Sequence, residues 1–210
     1  RQRQMCIRDS VLVSGSQKAI MLPPGVAFVA YSDRAKDRFA EVTTPRFYLD
    51  LNKYLSSQEQ NSTPFTPNVA LFRGVNAYVE LVKHEGLNHV IKRHYSIRNA
   101  LRTALKSLDL ELLVKDDSYA SPTVTSFVPK DKEELTYLKD QLKSRFNITI
   151  AGVQGHLKGH ILRIGHMGKV SPFDILSVVS AIEILLTESR NKDYIGKGIA
   201  EFMEVIKHES

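Results

Sequence analysis

One lysine, Lys18, lies in a sequence setting that could support covalent chemistry. It follows the apolar residues 11–13 and a bend of serine and glycine, and it precedes the stiff turn Pro23-Pro24-Gly25. A lysine amine forms an imine with a carbonyl compound only when it is neutral and well aimed, which requires partial desolvation and a backbone with little freedom. The same spacing also fits an ordinary solvated lysine after a strand, so both interpretations remain open from the residues alone.

Two further segments carry side chains that could bind anions. Thr66 lies in the sequence Thr-Pro-Phe-Thr-Pro, immediately before a helical pattern that starts near Asn68, and a helix N-terminus favours an anion. Arg163 lies in an apolar run, where a guanidinium is costly to bury unless a planar anion pairs with it. The alternatives are that Thr66 is an ordinary residue at a helix start and that Arg163 pairs with a nearby acid.

These three motifs together resemble one enzyme family. The sequence Ser14-Gly15-Ser16-Gln17-Lys18, followed by Pro23-Pro24-Gly25, is similar to the cofactor-lysine segment of class V pyridoxal-phosphate aminotransferases, in the alanine–glyoxylate and serine–pyruvate group. Residues 63–67 resemble the loop before the connector helix of that family, and Arg163-Ile164-Gly165 resembles one of its strands. The motifs occur in the family's order, and the likeness runs from about Val11 to Lys207.

The resemblance implies a role for each residue. Lys18 would be the catalytic residue that holds pyridoxal 5'-phosphate and then moves the substrate proton. Gln17 would contact the cofactor, and it favours transamination because related desulfurases usually carry histidine at this position; alternatively it is an ordinary loop amide. Thr66 would bind the cofactor phosphate in the neighbouring subunit, which implies a homodimer. Arg163 would bind the α-carboxylate of the amino-acid substrate.

The implied fold class is α/β, the PLP-dependent transferase fold type I in truncated form. Residues 11–67 would belong to the end of the large cofactor domain, residues 68–109 to connector helices, and residues 110–210 to a small C-terminal α+β domain. The implied reaction moves an amino group from alanine or serine to glyoxylate or pyruvate. Family enzymes are about twice as long, so we expect this chain to be a C-terminal half with little or no activity by itself.

Composition excludes several other classes of protein. The chain has 210 residues, a net charge of +6 and one cysteine, Cys6, so a disulfide framework is excluded and a cytoplasmic location is favoured. No apolar run reaches the roughly 20 residues that span a bilayer, and we expect no membrane partner. Residues 1–10 resemble nothing in the family and are predicted to be a non-native junction.

The apolar spacing predicts the elements that would position these residues. Residues 11–14 and 26–31 form short buried strands around the Lys18 bend, and Ser32 caps a helix that ends near Phe39. Residues 47–51 are predicted as extended and residues 56–67 as a loop, with two helices separated by Gly86. Beyond residue 110 the pattern predicts strands at residues 124–128, 148–151 and 160–164, and helices at residues 129–146, 172–187 and 194–207.

Two other functions are open on the sequence. A class V lyase or desulfurase is one, although Gln17 and the lack of a cysteine after residue 10 argue against it. The other is a non-catalytic binding module that uses the basic residues 83–106, for which salt-sensitive binding of nucleic acid would be the sign. The preferred interpretation includes no nucleic-acid partner. It includes no metal either, because the spacing of His156, His160 and His166 fits no standard zinc site.

Overall fold

The computed structural model describes residues 10–209 of the chain. The predicted junction at residues 1–10 therefore lies outside the described residues, apart from Ser10. The chain divides into two compact units, one that ends at Leu81 and one that starts at Val82. The three-part division into residues 11–67, 68–109 and 110–210 stays a prediction.

The first unit contains the strand pair around Lys18. Strand β1 (Val11–Gly15) pairs antiparallel with strand β2 (Ala27–Tyr31), with Gly15 opposite Ala27. The prediction of strands is confirmed, but the prediction that they are buried is wrong, since most of their residues are exposed. The reason is that, within residues 10–81, these two strands form the whole sheet and have no further strand beside them.

Three helices follow strand β2, and the last of them continues past Leu81, where the first unit ends. Helix α1 (Asp33–Glu41) begins at Ser32, whose side chain accepts a hydrogen bond from the Ala35 amide. Helix α2 (Leu51–Glu59) begins at Asp50, which accepts from the Asn52 amide. The predicted extended piece at residues 47–51 is wrong, because this aspartate caps a helix instead of continuing a strand. Helix α3 (Val69–Glu85) starts where the sequence predicted it.

The second unit combines helices with a four-stranded antiparallel sheet. Helix α4 (Leu87–Ser107) opens it, after Gly86 with a positive φ of 86°. The sheet has the order β3-β4-β6-β5. Its strands are β3 (Glu111–Leu112), β4 (Val124–Val128), β5 (Ala151–Gly152) and β6 (Leu162–Gly165). The remaining helices are α5 (Lys132–Phe146), a short 3₁₀ turn (Gly155–Leu157), α6 (Pro172–Arg190) and α7 (Lys197–Glu209).

Side chains from the helices and one sheet face form the core of the second unit. Alternation in β4 and β6 places Phe127, Leu162 and Ile164 on the buried face. The helices contribute apolar side chains with almost no exposure, among them Leu101, Leu105, Leu138, Leu142, Ile182, Leu185 and Phe202. Burial of each such side chain stabilises the unit by about 1.5–3 kcal/mol before the loss of chain entropy is counted.

Two helices of the second unit begin at residues whose side chains cap them. Ser171 and Asp174 form a reciprocal capping box, with Pro172 in the first turn of α6. Asp131 caps α5 through the Glu134 amide. Inside the unit, Glu134 and Arg190 form an ion pair whose side chains are 6% and 16% exposed. No helix among residues 10–209 is long and apolar enough to cross a membrane.

Candidate active site

Lys18 lies on the loop that joins β1 to β2, and its side chain is exposed. Its backbone oxygen accepts a hydrogen bond from the Met21 amide at 2.9 Å, which closes a tight turn immediately after the lysine. Within residues 10–209 its amine has no hydrogen-bond or ion-pair partner. The desolvation that the sequence suggested is therefore absent from this structure, and the backbone constraint is present.

Ser16 holds this loop at its base and is fully buried. Its hydroxyl donates to the Pro23 carbonyl at 2.7 Å and accepts from the Val26 amide at 3.3 Å. Its own amide donates to the Val26 carbonyl, and its carbonyl accepts from the Leu22 amide, both at 3.0 Å. Sequence reasoning assigned Ser16 no role of its own beyond its place in the lysine motif. The signal was a small polar residue two positions before the lysine.

Backbone conformation at Met21 adds a second constraint. Its φ is 59°, in the left-handed region that residues other than glycine seldom occupy. That conformation costs about 1–2 kcal/mol for an L-residue. The turn that includes Lys18 is thus held against a local preference, and such positions are concentrated at functional sites.

Gln17 lies beside Lys18 and is also exposed. Its side chain folds back over Gly15, where an added Cβ would come within 2.6 Å of the Gln17 Oε1. Gly15 therefore leaves room for the amide side chain, which stays close to the loop. The position of Gln17 next to the lysine agrees with a cofactor contact, and its assignment as one stays a prediction.

Helix α3 supports the far side of the loop. A Cβ built on Gly74 would lie 2.8 Å from Leu22 Cδ2, and a Cβ built on Gly25 would lie 2.7 Å from Leu71 Cδ1. Leu71 is 8% exposed. The loop and the helix therefore approach closely at two glycines, and the lysine loop rests on the first turns of α3.

Thr66 lies immediately before the same helix, on an exposed loop. Its hydroxyl has no hydrogen-bond partner among residues 10–209, whereas Asn68 is the residue that caps α3, accepting from the Leu71 amide at 3.1 Å. Thr66 therefore lies at the helix start without capping it, because Asn68 Oδ1 occupies that role, and its assignment as a phosphate ligand stays a prediction. The threonine hydroxyl is left available to another group.

An aromatic cluster positions the Thr66 loop. Phe65 contacts the rings of Phe47, Tyr48 and Tyr54 at centroid distances of 5.6, 4.9 and 6.0 Å. The Thr63 hydroxyl also donates to the Phe65 carbonyl at 2.8 Å. The pKa of Tyr54 is raised by its partial burial and then by the neighbouring Tyr48. Sequence reasoning missed this cluster, whose signal was the spacing of four aromatic residues around a polar loop.

Arg163 lies in the second unit, on the exposed face of strand β6. Its cross-strand neighbours are Ser126 on β4 and Ala151 on β5, neither of which carries a charge. The expectation that Arg163 is buried is wrong, because strand alternation turns Leu162 and Ile164 inward and the arginine outward. The alternative of a nearby acidic partner is also wrong for residues 10–209, where the guanidinium forms no ion pair.

The structure thus places Lys18, Gln17 and Thr66 in the first unit, on two loops next to helix α3, and Arg163 in the second. Among residues 10–209 no group of three or more histidine, cysteine, aspartate or glutamate side chains could hold a metal ion. The fold is that of the PLP-dependent transferases, and the roles within it that the resemblance implies for Lys18, Thr66 and Arg163 stay predictions. The family can be stated more closely: the chain belongs to the class-V aminotransferases, whose sequence model matches residues 8–169.

The chain is also similar to individual proteins. The chain is 43% identical over 197 residues to the soluble hydrogenase small subunit of a Synechococcus strain, covering 93% of this chain and 51% of that protein. It is 29% identical to the L-aspartate–glyoxylate aminotransferase of Paracoccus denitrificans, with 92% and 49% covered. The crystal structure of pyridoxamine–pyruvate aminotransferase from Mesorhizobium loti matches with a TM-score of 0.90 and 26% identity, covering 97% of this chain and 53% of that one.

The chain spans about half the length of the relatives it matches. The solved structures confirm the predicted fold class, in which a mixed α/β chain corresponds to about half of the type I transferase fold.

Proposed function

We propose that this chain carries the catalytic lysine of a pyridoxal-phosphate-dependent aminotransferase. The observation that supports this most strongly is the Lys18 loop, in which an unpaired lysine stands on a backbone held by the hydrogen bonds of the buried Ser16. Membership of the class-V aminotransferases, as shown by residues 8–169, gives that geometry its chemical meaning.

The residues present fit pyridoxal phosphate. The Lys18 amine has no competing carboxylate among residues 10–209, so it is free to react with an aldehyde. The Thr66 hydroxyl is unpaired beside the N-terminus of α3, where backbone amides and the helix dipole favour a phosphate. When bound, pyridoxal phosphate supplies an electron sink that stabilises negative charge on the substrate carbon.

Each residue then has a distinct task. Lys18 Nζ would hold the cofactor, and the same amine would hold the proton that leaves the substrate carbon. Gln17 would contact the cofactor through its side-chain amide. Thr66 would bind the cofactor phosphate in the site of a second copy of the protein, so we propose a homodimer as the working enzyme. The rigid loop keeps Lys18 Nζ aimed during the proton transfer.

Arg163 binds the α-carboxylate of the amino acid and of the 2-oxo acid. Its guanidinium presents two parallel N–H donors that match a carboxylate, which a lysine does not reproduce. The uncharged neighbours Ser126 and Ala151 leave its charge uncompensated on the open sheet face. An arginine that binds a substrate carboxylate must not already be paired with an acidic side chain, and Arg163 has no such partner among residues 10–209.

The substrates follow from the relatives. Glyoxylate occurs in the names of the Paracoccus enzyme and of an Arabidopsis serine–glyoxylate aminotransferase, and pyruvate occurs in that of the Mesorhizobium enzyme. We propose alanine or serine as amino donor and glyoxylate or pyruvate as acceptor. A reducing, cytoplasmic environment agrees with the single cysteine of the chain.

Covalent trapping tests the assignment of Lys18. The intact protein is incubated with pyridoxal phosphate, reduced with borohydride and digested, and the modified peptide is identified by mass spectrometry. We expect the label on Lys18, and we expect Lys18→Arg to lose it. Lys36→Arg, an exposed lysine of the same unit, is the matched control and keeps the label. A label spread evenly over surface lysines would contradict the proposal.

Kinetics test Arg163. In the active full-length enzyme, Arg163→Lys keeps the charge but loses the paired donors, so we expect KM for the amino acid to rise about tenfold or more. Arg38→Lys, an exposed arginine elsewhere in the chain, is expected to leave KM unchanged. An unchanged KM in Arg163→Lys would show that Arg163 does not bind the substrate carboxylate.

A further inference from the structure

Ser16 and Leu71 are the two buried residues of the first unit within residues 10–81. Leucine is often buried, but serine is a polar residue that needs hydrogen-bond partners when water is excluded. Both partners of the Ser16 hydroxyl are backbone groups of the same loop, at Pro23 and Val26. The serine side chain therefore links two backbone groups of the loop, the Pro23 carbonyl and the Val26 amide.

Ser16 lies at the start of the loop and is hydrogen-bonded to residues near its end. Counting side chain and backbone, Ser16 makes four hydrogen bonds, to Leu22, Pro23 and Val26. Pro23 has no amide hydrogen, so its carbonyl is the group of that residue that can be held. Without the hydroxyl, the Pro23 carbonyl and the Val26 amide would both lose this partner.

Lys18 lies two residues after Ser16, inside the segment that these bonds close. Since its amine has no partner within residues 10–209, the direction of its side chain is set by the backbone that carries it. A proton-transfer group that is misplaced by about 1 Å loses much of its efficiency. Rigid support from surrounding residues is what keeps such a group in place.

We propose that Ser16 is a positioning residue for Lys18, acting through the hydrogen bonds of its buried hydroxyl to Pro23 and Val26. This inference rests on the proposed function, because it gives Ser16 a purpose only if Lys18 holds the cofactor. Ser16 itself touches neither substrate nor cofactor in this assignment. It fixes the backbone from which the lysine reaches.

The test compares serine variants of the intact protein in the trapping assay. Ser16→Ala removes the hydroxyl, and Ser16→Thr keeps it. Ser56→Ala removes an exposed hydroxyl of the same unit, which donates to the Lys53 carbonyl within a helix. We measure the rate of borohydride-trapped labelling at Lys18 and the pH midpoint of the absorbance of the lysine-bound cofactor. Hydrogen exchange at the amides of Leu22 and Val26 is followed in the protein without cofactor.

We expect Ser16→Ala to slow labelling of Lys18 about tenfold, to shift the pH midpoint and to speed exchange at Leu22 and Val26. Ser16→Thr should recover most of the labelling rate, and Ser56→Ala should match the unmodified protein. A role in stability alone would speed amide exchange but leave the pH midpoint of the folded, labelled fraction unchanged, and that result would overturn the proposal.

Two further outcomes are equally decisive. If Ser16→Ala does not fold, Ser16→Cys takes its place, since a thiol fills similar space with a weaker donor, and labelling at the normal rate and pH midpoint in that variant would overturn the proposal. If the unmodified protein gains no label at Lys18, the proposed function itself fails. A normal label in the unmodified protein with an unaffected Ser16→Ala variant refutes the role of Ser16 alone.

Discussion

The two units of the chain are held together by different interactions. From Val82 onward, helices and one sheet face share a continuous apolar core in which many side chains are fully buried. Up to Leu81, Leu71 is the one buried hydrophobic residue among those that the structure describes. Among the described residues of that unit, the contacts beside the candidate site are the hydrogen bonds of Ser16 and the aromatic contacts around Phe65.

This contrast separates stability from positioning. A core built from burial is robust, because its free energy is spread over many side chains. A loop held by a few buried hydrogen bonds depends on each of them, since a lost partner leaves a polar group unpaired. The residues assigned to cofactor chemistry, Lys18, Gln17 and Thr66, all lie in the unit that depends on individual bonds.

The largest expected effect comes from the same substitution made in both units. Leu101 is 0% exposed and Leu49 is 79% exposed. We expect Leu101→Ala to lower the free energy of unfolding by about 2–5 kcal/mol, and Leu49→Ala to change it by less than about 0.5 kcal/mol. Chemical denaturation measures both. Equal losses in the two variants would show that the difference in burial does not control stability.

Acid should weaken the second unit through His166. This residue is fully buried, with its Nε2 2.9 Å from the Thr125 hydroxyl. Burial, and then the nearby His94 and Arg98, lower its pKa from 6.5 to about 4. Between pH 6.5 and about pH 4, His166 is protonated in the unfolded chain and neutral in the folded protein. The free energy of unfolding is therefore unaffected by His166 above pH 6.5 and decreases as the pH falls toward 4.

The expected loss from this histidine is about 3 kcal/mol. Denaturation curves at several pH values measure it, and His166→Gln should flatten the slope because glutamine does not titrate. His160→Gln, at an exposed position, should leave the slope as it was. A slope that survives in His166→Gln would assign the acid sensitivity to other groups.

The aromatic cluster sets the next effect. Phe65→Ala removes three ring contacts, each worth about 0.5–1.5 kcal/mol beyond burial, so the Thr66 loop should open more readily by about 2 kcal/mol. Hydrogen exchange across α2 and the loop measures this change. Phe173→Ala in the second unit, where the ring is 69% exposed, is the control and should change stability by less than about 0.5 kcal/mol. Similar results for both phenylalanines would show that the aromatic cluster does not stabilise the Thr66 loop.

Met21 gives the smallest expected effect and the sharpest test of local strain. Met21→Gly should stabilise the loop by a few tenths of a kcal/mol, because relief of the left-handed conformation outweighs the added freedom of the unfolded chain. Met21→Val should destabilise it by about 1 kcal/mol, since a β-branched residue is worse in that region. Amide exchange at Lys18 and Leu22 reports both. The opposite order of the two variants would show that Met21 is not strained.

Much of the fold could be predicted from sequence because its signals were local. Helix α6 begins at Pro172, and α3 and α4 are separated at Gly86, both as the sequence predicted. Helix α2 was missed because its start depends on one aspartate cap, which outweighed the alternation of residues 47–51. Strand β3 has two residues, too few to produce a pattern, and its pairing with β4 joins residues far apart in sequence.

The candidate residues could be predicted by type, but their surroundings could not. Resemblance picked out Lys18, Thr66 and Arg163, whose chemistry depends on their own side chains. The burial of Ser16, the left-handed Met21 and the exposure of Arg163 all depend on which neighbours the fold brings near. A sequence pattern has no access to those neighbours until the chain is folded.

The uncharged neighbours of Arg163 have a consequence for how such a scaffold could diversify. A lone guanidinium recognises a group that every α-amino acid and 2-oxo acid possesses. It therefore contributes to binding of the whole substrate class without distinguishing among its members. Discrimination among donors must come from contacts with the rest of the substrate, and those contacts can change by mutation while the arginine stays constant. Affinity for the class and preference within it are then separate properties, so a new substrate could be acquired without rebuilding the anchor.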